Sequence, residues 1–442
     1  MTPSLTRPQA AAPLLAERAP NADRSRDERP LKVLFFDLYD PLDPSNWSGA
    51  PAQIYHCMKL AGAETVPVGP HYLFFRKSIN WILYRYYRYL KGLFYHIDRD
   101  LFWVRAFTAL GNRRLKAHPD ADAVITTFPA FTSFVRRGVP IFMVHDATWG
   151  QVVESYPWFA RSHQPERIVE DGFELERIAY RRDDVFAVMT SQWAADRVVS
   201  DYGVDPGRIS VLPFGPNLRN PPERAIVEAA IERRGCGTCR LLFVGKEWIR
   251  KGGPLAVEAT AALIAMGVPA ELNVVGPLEM APGSASAAKL PGFVRVHGLL
   301  RKFVAEEGAA LEELFLDSDF FILPTQAEAL GIVFAEAAAY GLPSLGTSVG
   351  GVPTILRDGI DGAIFPPADS AQEMAQWIRS LFLDRARYHA LAQSARRDYE
   401  ARLSSLAYGR QFAQIIRSRI AQCRPAKAVP PASGEKIVPD VA

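Results

Sequence analysis

Two glutamates, Glu328 and Glu336, stand in the otherwise apolar run PTQAEALGIVFAEAAAYGLP, Pro324 to Pro343. Burying a carboxylate without a partner costs several kcal/mol, so charges placed in such a run have an assigned partner. DFFILPT reads as a buried strand, QAEALG as the turn at its C-terminal end, and IVFAEAAAYG as a helix that stops at Gly341 with Pro343 beyond it. In open α/β sheets ligands bind outside the carboxyl ends of strands. Glu328 is therefore expected on the ligand edge, with Glu336 about one turn inside the helix and facing the same crevice. The amides around Gly331, Ile332 and Val333 form a helix N-terminus, which suits a diphosphate. A capping glutamate and a surface glutamate are the structural alternative.

Three further constellations sit where strands end. In FVGKEWIRKGG a strand closes at Gly245, and Lys246, Arg250 and Lys251 crowd the next turn. Cations there suit a diphosphate, whose charge grows as it departs; a solvated basic turn is the alternative. In DPLDPSNWSGAPAQI the stretch Ser48-Gly49-Ala50-Pro51 opens a helix, and Gly49 permits close backbone approach; an ordinary helix start is the equal alternative. In PIFMVHDATWG, His145 and Asp146 lie at a strand's end in the half of the chain facing the diphosphate site, where a ligand contact is expected; a structural histidine is the alternative.

Strands alternating with helices must position these residues, the pattern of parallel βα units. LKVLFFDLY, AETVPVG, DAVITTF, PIFMVHD, DVFAVMTS and ISVLPFG supply one sheet. The pattern restarts with CRLLFVG, AELNVVG, VRVHG, DFFILPT, PSLGTS and GAIFPP. The fold class is therefore α/β with two doubly wound sheets. A domain over 31–217 is joined near Asn217 to Pro222, where Pro and Asn cluster, to a domain over 223–398. A helix at about 400–420 is expected to pack back on the first. Residues 1–30, with Arg and Pro throughout and no sustained apolar stretch, read as a disordered leader; Pro-rich 424–442 reads as a disordered tail.

Composition narrows the class. Hydrophobic residues make up 48% and charged residues 22% of the chain, ordinary for a globular protein. A net charge of +3 gives no reason to expect a nucleic-acid partner, and no apolar run reaches membrane-spanning length. The four cysteines do not form a secreted scaffold; Cys236 and Cys239 make a lone CxxC without the second pair or the histidines a zinc site needs. A cytoplasmic location is the default expectation.

Together these motifs resemble family 4 glycosyltransferases of the GT-B fold. The resemblance rests on EALGIVFAEAAAYGLPSLGTSVGGVPTIL, GKEWIRKGG, HGLL (His297 to Leu300) and GGVPTILRDGIDGAIFPP, and more weakly on WSGAPAQI, VHDATW and ERIAYRRDDVFAVMTSQWAADRVVSDYGV. It runs from about residue 31 to 420. It implies two Rossmann-like domains facing a cleft, and a retaining, hexosyltransferase-type enzyme that moves sugar from a nucleotide diphosphate sugar. The acceptor would be a carbohydrate or lipid-linked molecule, in polysaccharide or glycoconjugate biosynthesis. By matching positions, Glu336 would hold the ribose hydroxyls, Glu328 the donor sugar hydroxyls, and Lys251 the diphosphate. The amides of Leu330, Gly331, Ile332 and Val333 would hold sugar and phosphate, and Leu299 would line the donor site. Gly49 would approach the phosphates from the opposite lobe, and His145 with Asp146 would meet the sugar. Both glutamates are thus expected to meet ligand hydroxyls rather than protein cations. Many members carry Arg where this chain has Lys246, which keeps charge but loses bidentate geometry, with Arg250 as compensation. No metal or other cofactor is expected, the nucleotide sugar being a substrate. A metal-dependent GT-A enzyme would place an Asp-x-Asp at a strand end, whereas Asp317 to Asp319 precede theirs. A nucleotide-sugar epimerase and a non-catalytic nucleotide-sugar-binding subunit are the remaining alternatives.

The segment from Tyr72 to Phe107 is rich in aromatic and basic side chains at roughly helical spacing. It reads either as helices packed on the first domain or as an acceptor-binding or membrane-surface element, with Arg85, Arg88 and Lys91 meeting phosphates.

Overall fold

The computed structural model describes residues 29–43, 46–70, 76–218, 220–276, 290–368 and 370–423. Almost all of the leader, the whole tail, and residues 71–75 of the aromatic-basic segment lie outside them.

The first lobe is a six-stranded parallel sheet in the order β2-β1-β3-β4-β5-β6. Its strands are β1 (Lys32–Phe36), β2 (Glu64–Val68), β3 (Ala123–Thr126), β4 (Ile141–His145), β5 (Val185–Met189) and β6 (Ile209–Val211). Helices cover it: α1 (Ala50–Leu60), α2 (Arg76–Arg85), α3 (Leu101–Leu115), α4 (Pro129–Thr132), α5 (Trp149–Ser155), α6 (Glu166–Tyr180) and α7 (Gln192–Tyr202). Strands β3, β4 and β5 are buried at every position, which is why their sequences read as unbroken apolar runs rather than alternating ones.

The second lobe repeats the plan in the order β12-β11-β10-β7-β8-β9. Its strands are β7 (Cys239–Val244), β8 (Ala270–Val275), β9 (Val294–Gly298), β10 (Phe320–Leu323), β11 (Ser344–Thr347) and β12 (Gly362–Phe365). Around it lie α8 (Arg224–Arg233), α9 (Gly253–Ala265), α10 (Ala305–Asp317), α11 (Ile332–Ala339), α12 (Val352–Ile355), α13 (Ala371–Phe382) and α14 (Arg385–Asp398). The last helix, α15 (Ser405–Cys423), crosses back and packs on α1. Gly409 makes the crossing possible, since a Cβ there would stand 2.0 Å from the Cys57 carbonyl oxygen. Gln53 donates to the Ser405 hydroxyl at 2.8 Å, and Phe142 meets Phe412 edge-on.

Strand order fixes where a ligand can sit. In the second sheet β7 lies between β8 and β10, so the chain leaves β7 on one side and β10 on the other. That reversal opens a crevice at the strands' carboxyl ends. Residues 245–252 and 324–331, carrying the basic turn and Glu328, both border it. The first sheet reverses at β1, with Gly49 following β1.

Candidate active site

Two turns at the switch point of the second sheet are tied together by their backbones. The Gln326 amide donates to the Arg250 carbonyl at 2.8 Å, and the Thr325 hydroxyl donates to the same oxygen at 3.1 Å. Gly252 caps α9 with φ 79°, and a Cβ there would lie 1.8 Å from the Pro324 carbonyl oxygen. Only glycine fits this backbone and this approach. The result presses the cationic turn against the end of β10.

Within that junction the Lys251 ammonium is ion-paired to the Glu328 carboxylate, both side chains nearly buried. Arg250 Nη1 stands 3.9 Å from the same carboxylate, while its guanidinium also binds Glu247 and the Ala327 carbonyl. Lys246 is exposed. Of the three cations of this turn, Lys251 is thus the one directly paired to Glu328, Arg250 is shared with backbone and Glu247, and Lys246 faces solvent.

Leu330 is buried, and Gly331 takes φ 86° as the cap of α11. The amides of Ile332 and Val333 open the helix and have no intrahelical acceptor by position. Glu336 is the fifth residue of α11 and is fully buried. Its Oε1 is ion-paired to Lys302 on the β9–α10 connection, and its Oε2 has no hydrogen-bond partner among the described residues. Leu299, on the same connection, is half exposed.

These contacts correct one expectation. The sequence leads one to expect both glutamates to meet ligand hydroxyls in place of protein cations, yet each is paired to a lysine, Glu328 to Lys251 and Glu336 to Lys302. Without a ligand, an acid at such depth needs a protein charge nearby.

The first lobe supplies the opposing wall. Gly49 caps α1 with φ 84°, and Pro51 occupies the first turn, where its missing N–H costs nothing. Ile332 of the second lobe lines a narrow cavity with Ala50, Gln53, Ile54 and Phe214, so the start of α11 faces the start of α1. The lobes also meet where the Gln192 amide donates to the Thr354 hydroxyl at 3.0 Å.

His145 ends β4, but its ring is not on the cleft surface. It is 2% exposed, and Nδ1 accepts the Asp146 amide at 2.9 Å. Nε2 lies 3.8 Å from Glu176 and has no hydrogen-bond partner among the described residues. Trp47 and Phe128 flank the ring edge-on. Burial pushes the Glu176 carboxyl up, and it accepts the Trp149 amide at 2.8 Å and the Tyr202 hydroxyl. The His145 side chain thus packs into the first lobe's interior. Asp146 remains about a quarter exposed.

Tyr156, just beyond α5, links the lobes. The Arg250 guanidinium lies 5.5 Å from its ring centroid. Burial raises its phenol well above the usual range, and the charges of Glu328 and Asp146 raise it further while Arg250 opposes them. Asp146 and Glu328, from different lobes, therefore act on one side chain. Sequence reasoning missed Tyr156, Lys302 and Glu176. Lys302 follows the quoted HGLL by only two residues, whereas Tyr156 in ESYPWF had no motif to mark it.

The Asp-x-Asp alternative does not survive the geometry. Asp317 ends α10, and buried Asp319 accepts the amides of Gly235 and Arg240 at 2.8 and 2.7 Å. Cys239 is buried on β7 and Cys236 is exposed, both as free thiols.

In the aromatic-basic segment, α2 passes into a six-residue π-helical stretch, Tyr86–Lys91, closed by Gly92 with φ 70°. Trp81, Ile82, Tyr86, Tyr89 and Leu90 are exposed. Arg85 stacks over Trp81 and Tyr89, and Arg88 over Phe94.

Comparison with known proteins bears on the family and the fold. The family model described as "Glycosyl transferases group 1" matches residues 238–384. D-inositol 3-phosphate glycosyltransferase from Geodermatophilus obscurus is 30% identical over 220 residues, covering 46% of each chain. Alignments to relatives of that name span between 40% and 70% of their length, so the chain covers about half of the curated relatives it matches. Among solved structures, sucrose-phosphate synthase from Thermosynechococcus elongatus superposes with a TM-score of 0.57 at 17% identity, covering 89% of this chain and all of that one. HepE from Anabaena, solved with UDP, superposes at 0.56 and 14% identity, covering 88% and 100%.

Proposed function

We propose that this chain, which belongs to the group 1 glycosyltransferases and has the GT-B fold, transfers a sugar from a nucleotide diphosphate sugar to a carbohydrate or lipid-linked acceptor with retention at the anomeric carbon. The observation that carries the reading is the Lys251–Glu328 pair beside the open amides of α11, at the switch point of the second sheet. A cation and helix amides meet a diphosphate, and a carboxylate within reach meets sugar hydroxyls. In transfer, the bond from the anomeric carbon to the diphosphate oxygen breaks, the bond to the acceptor oxygen forms, and the acceptor's proton leaves with the diphosphate. Lys251 faces the charge that grows on the leaving group, and Glu328 holds the sugar once the ammonium turns to phosphate. Glu336 takes the ribose, Gly49 approaches the phosphates from the first lobe, and Leu299 flanks the nucleoside. The UDP complex of HepE makes a UDP-sugar the first donor to try, with GDP-sugars next.

The catalytic reading needs no metal, because the cations of the 246–251 turn and the amides supply the positive charge. For the acceptor, the exposed aromatic-basic face of 81–91 supports contact with anionic headgroups at a membrane's cytoplasmic side. No helix among the described residues is long and apolar enough to cross a membrane. Polysaccharide or glycoconjugate assembly is the setting in which such an acceptor arises. The test is a thermal-shift screen of UDP-, GDP- and ADP-sugars, followed by incubation of the best donor with glycan and lipid-linked acceptors. A donor-induced shift with sugar appearing on an acceptor is expected; no shift and no product from any donor overturns the reading.

A further inference from the structure

Glu336 is fully buried, and its two oxygens are treated differently. Oε1 is ion-paired to the ammonium of Lys302, and Oε2 is buried with no hydrogen-bond partner among the described residues. A buried carboxylate oxygen without a donor is costly, and this one retains its full accepting capacity. We propose that Lys302 is a positioning residue of the donor site: it holds Glu336 by one oxygen, so that the other is left to accept the ribose hydroxyls of a nucleoside diphosphate. The proposal rests on the reading of Glu336 as the ribose ligand.

Three observations converge on it. The pairing spans two elements, α11 and the β9–α10 connection, so it is not a helical neighbour contact. Lys302 has a side chain about three-tenths exposed, against 1% for Glu336, which makes it the wet end of a charge that otherwise ends inside the protein. Leu299, three residues before it on the same connection, is half exposed, so this short stretch carries both an apolar side chain for a nucleoside and the cation behind its ribose acceptor. A single carboxylate oxygen has two lone pairs, enough for a vicinal diol. With Oε1 pinned, the carboxylate cannot rotate away, and its charge is compensated before the ligand arrives, so binding need not reorganise the site.

The experiment measures affinities of UDP, GDP and ADP, and of their 2′-deoxy counterparts, for wild type, Lys302→Met and Lys302→Arg, with melting temperatures recorded for each. Wild type is expected to prefer the ribonucleotide about 10-fold. Lys302→Met should lose about 10-fold or more in ribonucleotide affinity and bind ribo and deoxy forms nearly equally, and Lys302→Arg should restore both. If Lys302→Met does not fold, Lys302→Gln carries the same comparison. Retained discrimination in the neutral variant, or tighter binding there, overturns the role of Lys302 while leaving Glu336 as the ribose ligand. Equal affinities for ribo and deoxy forms in wild type overturn the Glu336 reading itself, and the proposal with it.

Discussion

Lys251 and Glu328 lie 77 positions apart in sequence and form one nearly buried ion pair. The pair joins the turn after β7 to the turn after β10, the two strands between which the second sheet reverses direction. Each charge is neutralised by the other within that junction.

Lys251→Ala should act mainly on turnover. On the proposed reading the phosphate charge it faces is greatest as the diphosphate leaves, and removing one such preorganised group typically costs about 10²–10³ in rate. Steady-state kinetics with a fixed acceptor checks this. A near-normal kcat with only a raised donor KM would show that Lys251 binds ground state and transition state alike.

Glu336→Ala should weaken donor binding by about 10- to 100-fold, the value of a charge-assisted hydrogen bond at a buried acceptor. Calorimetry with the nucleoside diphosphate reads it directly. Unchanged affinity would remove Glu336 from the ribose site and leave its pairing with Lys302 purely structural.

Transfer should continue in EDTA. On the proposed reading the charge on the diphosphate is met by Lys251 and the amides of α11, and Asp319 of the Asp-x-Asp stretch accepts two backbone amides. Activity lost in EDTA and restored by magnesium or manganese contradicts this.

Neutralising Arg85, Arg88 and Lys91 together should reduce binding to anionic vesicles, or use of a lipid-linked acceptor, and leave donor hydrolysis intact. Near a membrane surface each basic residue is worth about 1 kcal/mol, so the triple variant should show a large effect in a vesicle sedimentation assay. If donor hydrolysis falls instead, or neither readout changes, the segment is scaffold.

Asp361 gives the fold a pH dependence. Burial pushes its carboxyl up to about 6, opposed by the Arg357 amide it accepts at 2.6 Å and by the Arg402 charge. An acid with a raised folded-state pKa favours the native state at low pH, and that contribution is lost as pH rises through about 6. Relative to Asp361→Asn, wild-type stability should fall by on the order of 1–3 kcal/mol between about pH 4 and 6.5, then run parallel. Parallel melting curves across the whole range would show that Asp361 does not titrate there.

The sequence by itself determined the elements and their ends. Unbroken apolar runs such as IFMVH and FFIL can be satisfied only as strands buried on both faces, and the residues that follow them, Gly49, His145, Lys251 and Glu328, are therefore at carboxyl edges. Gly49 and Gly331 were legible at helix starts because left-handed backbone and close approach admit little else, whereas the close approach at Gly252 came from the structure. What only the tertiary structure decided was partnership. That Lys302 faces Glu336, that Tyr156 lies beneath Arg250, and that His145 turns toward Glu176 all depend on contacts between segments far apart in the chain. No local pattern encodes them, because a side chain's type and spacing set its face, while its neighbour is set by how sheets and loops pack. Burial then assigns the chemistry: a lysine that reads as one more surface charge becomes the counter-ion of a carboxylate because the fold encloses the carboxylate and brings the lysine over it.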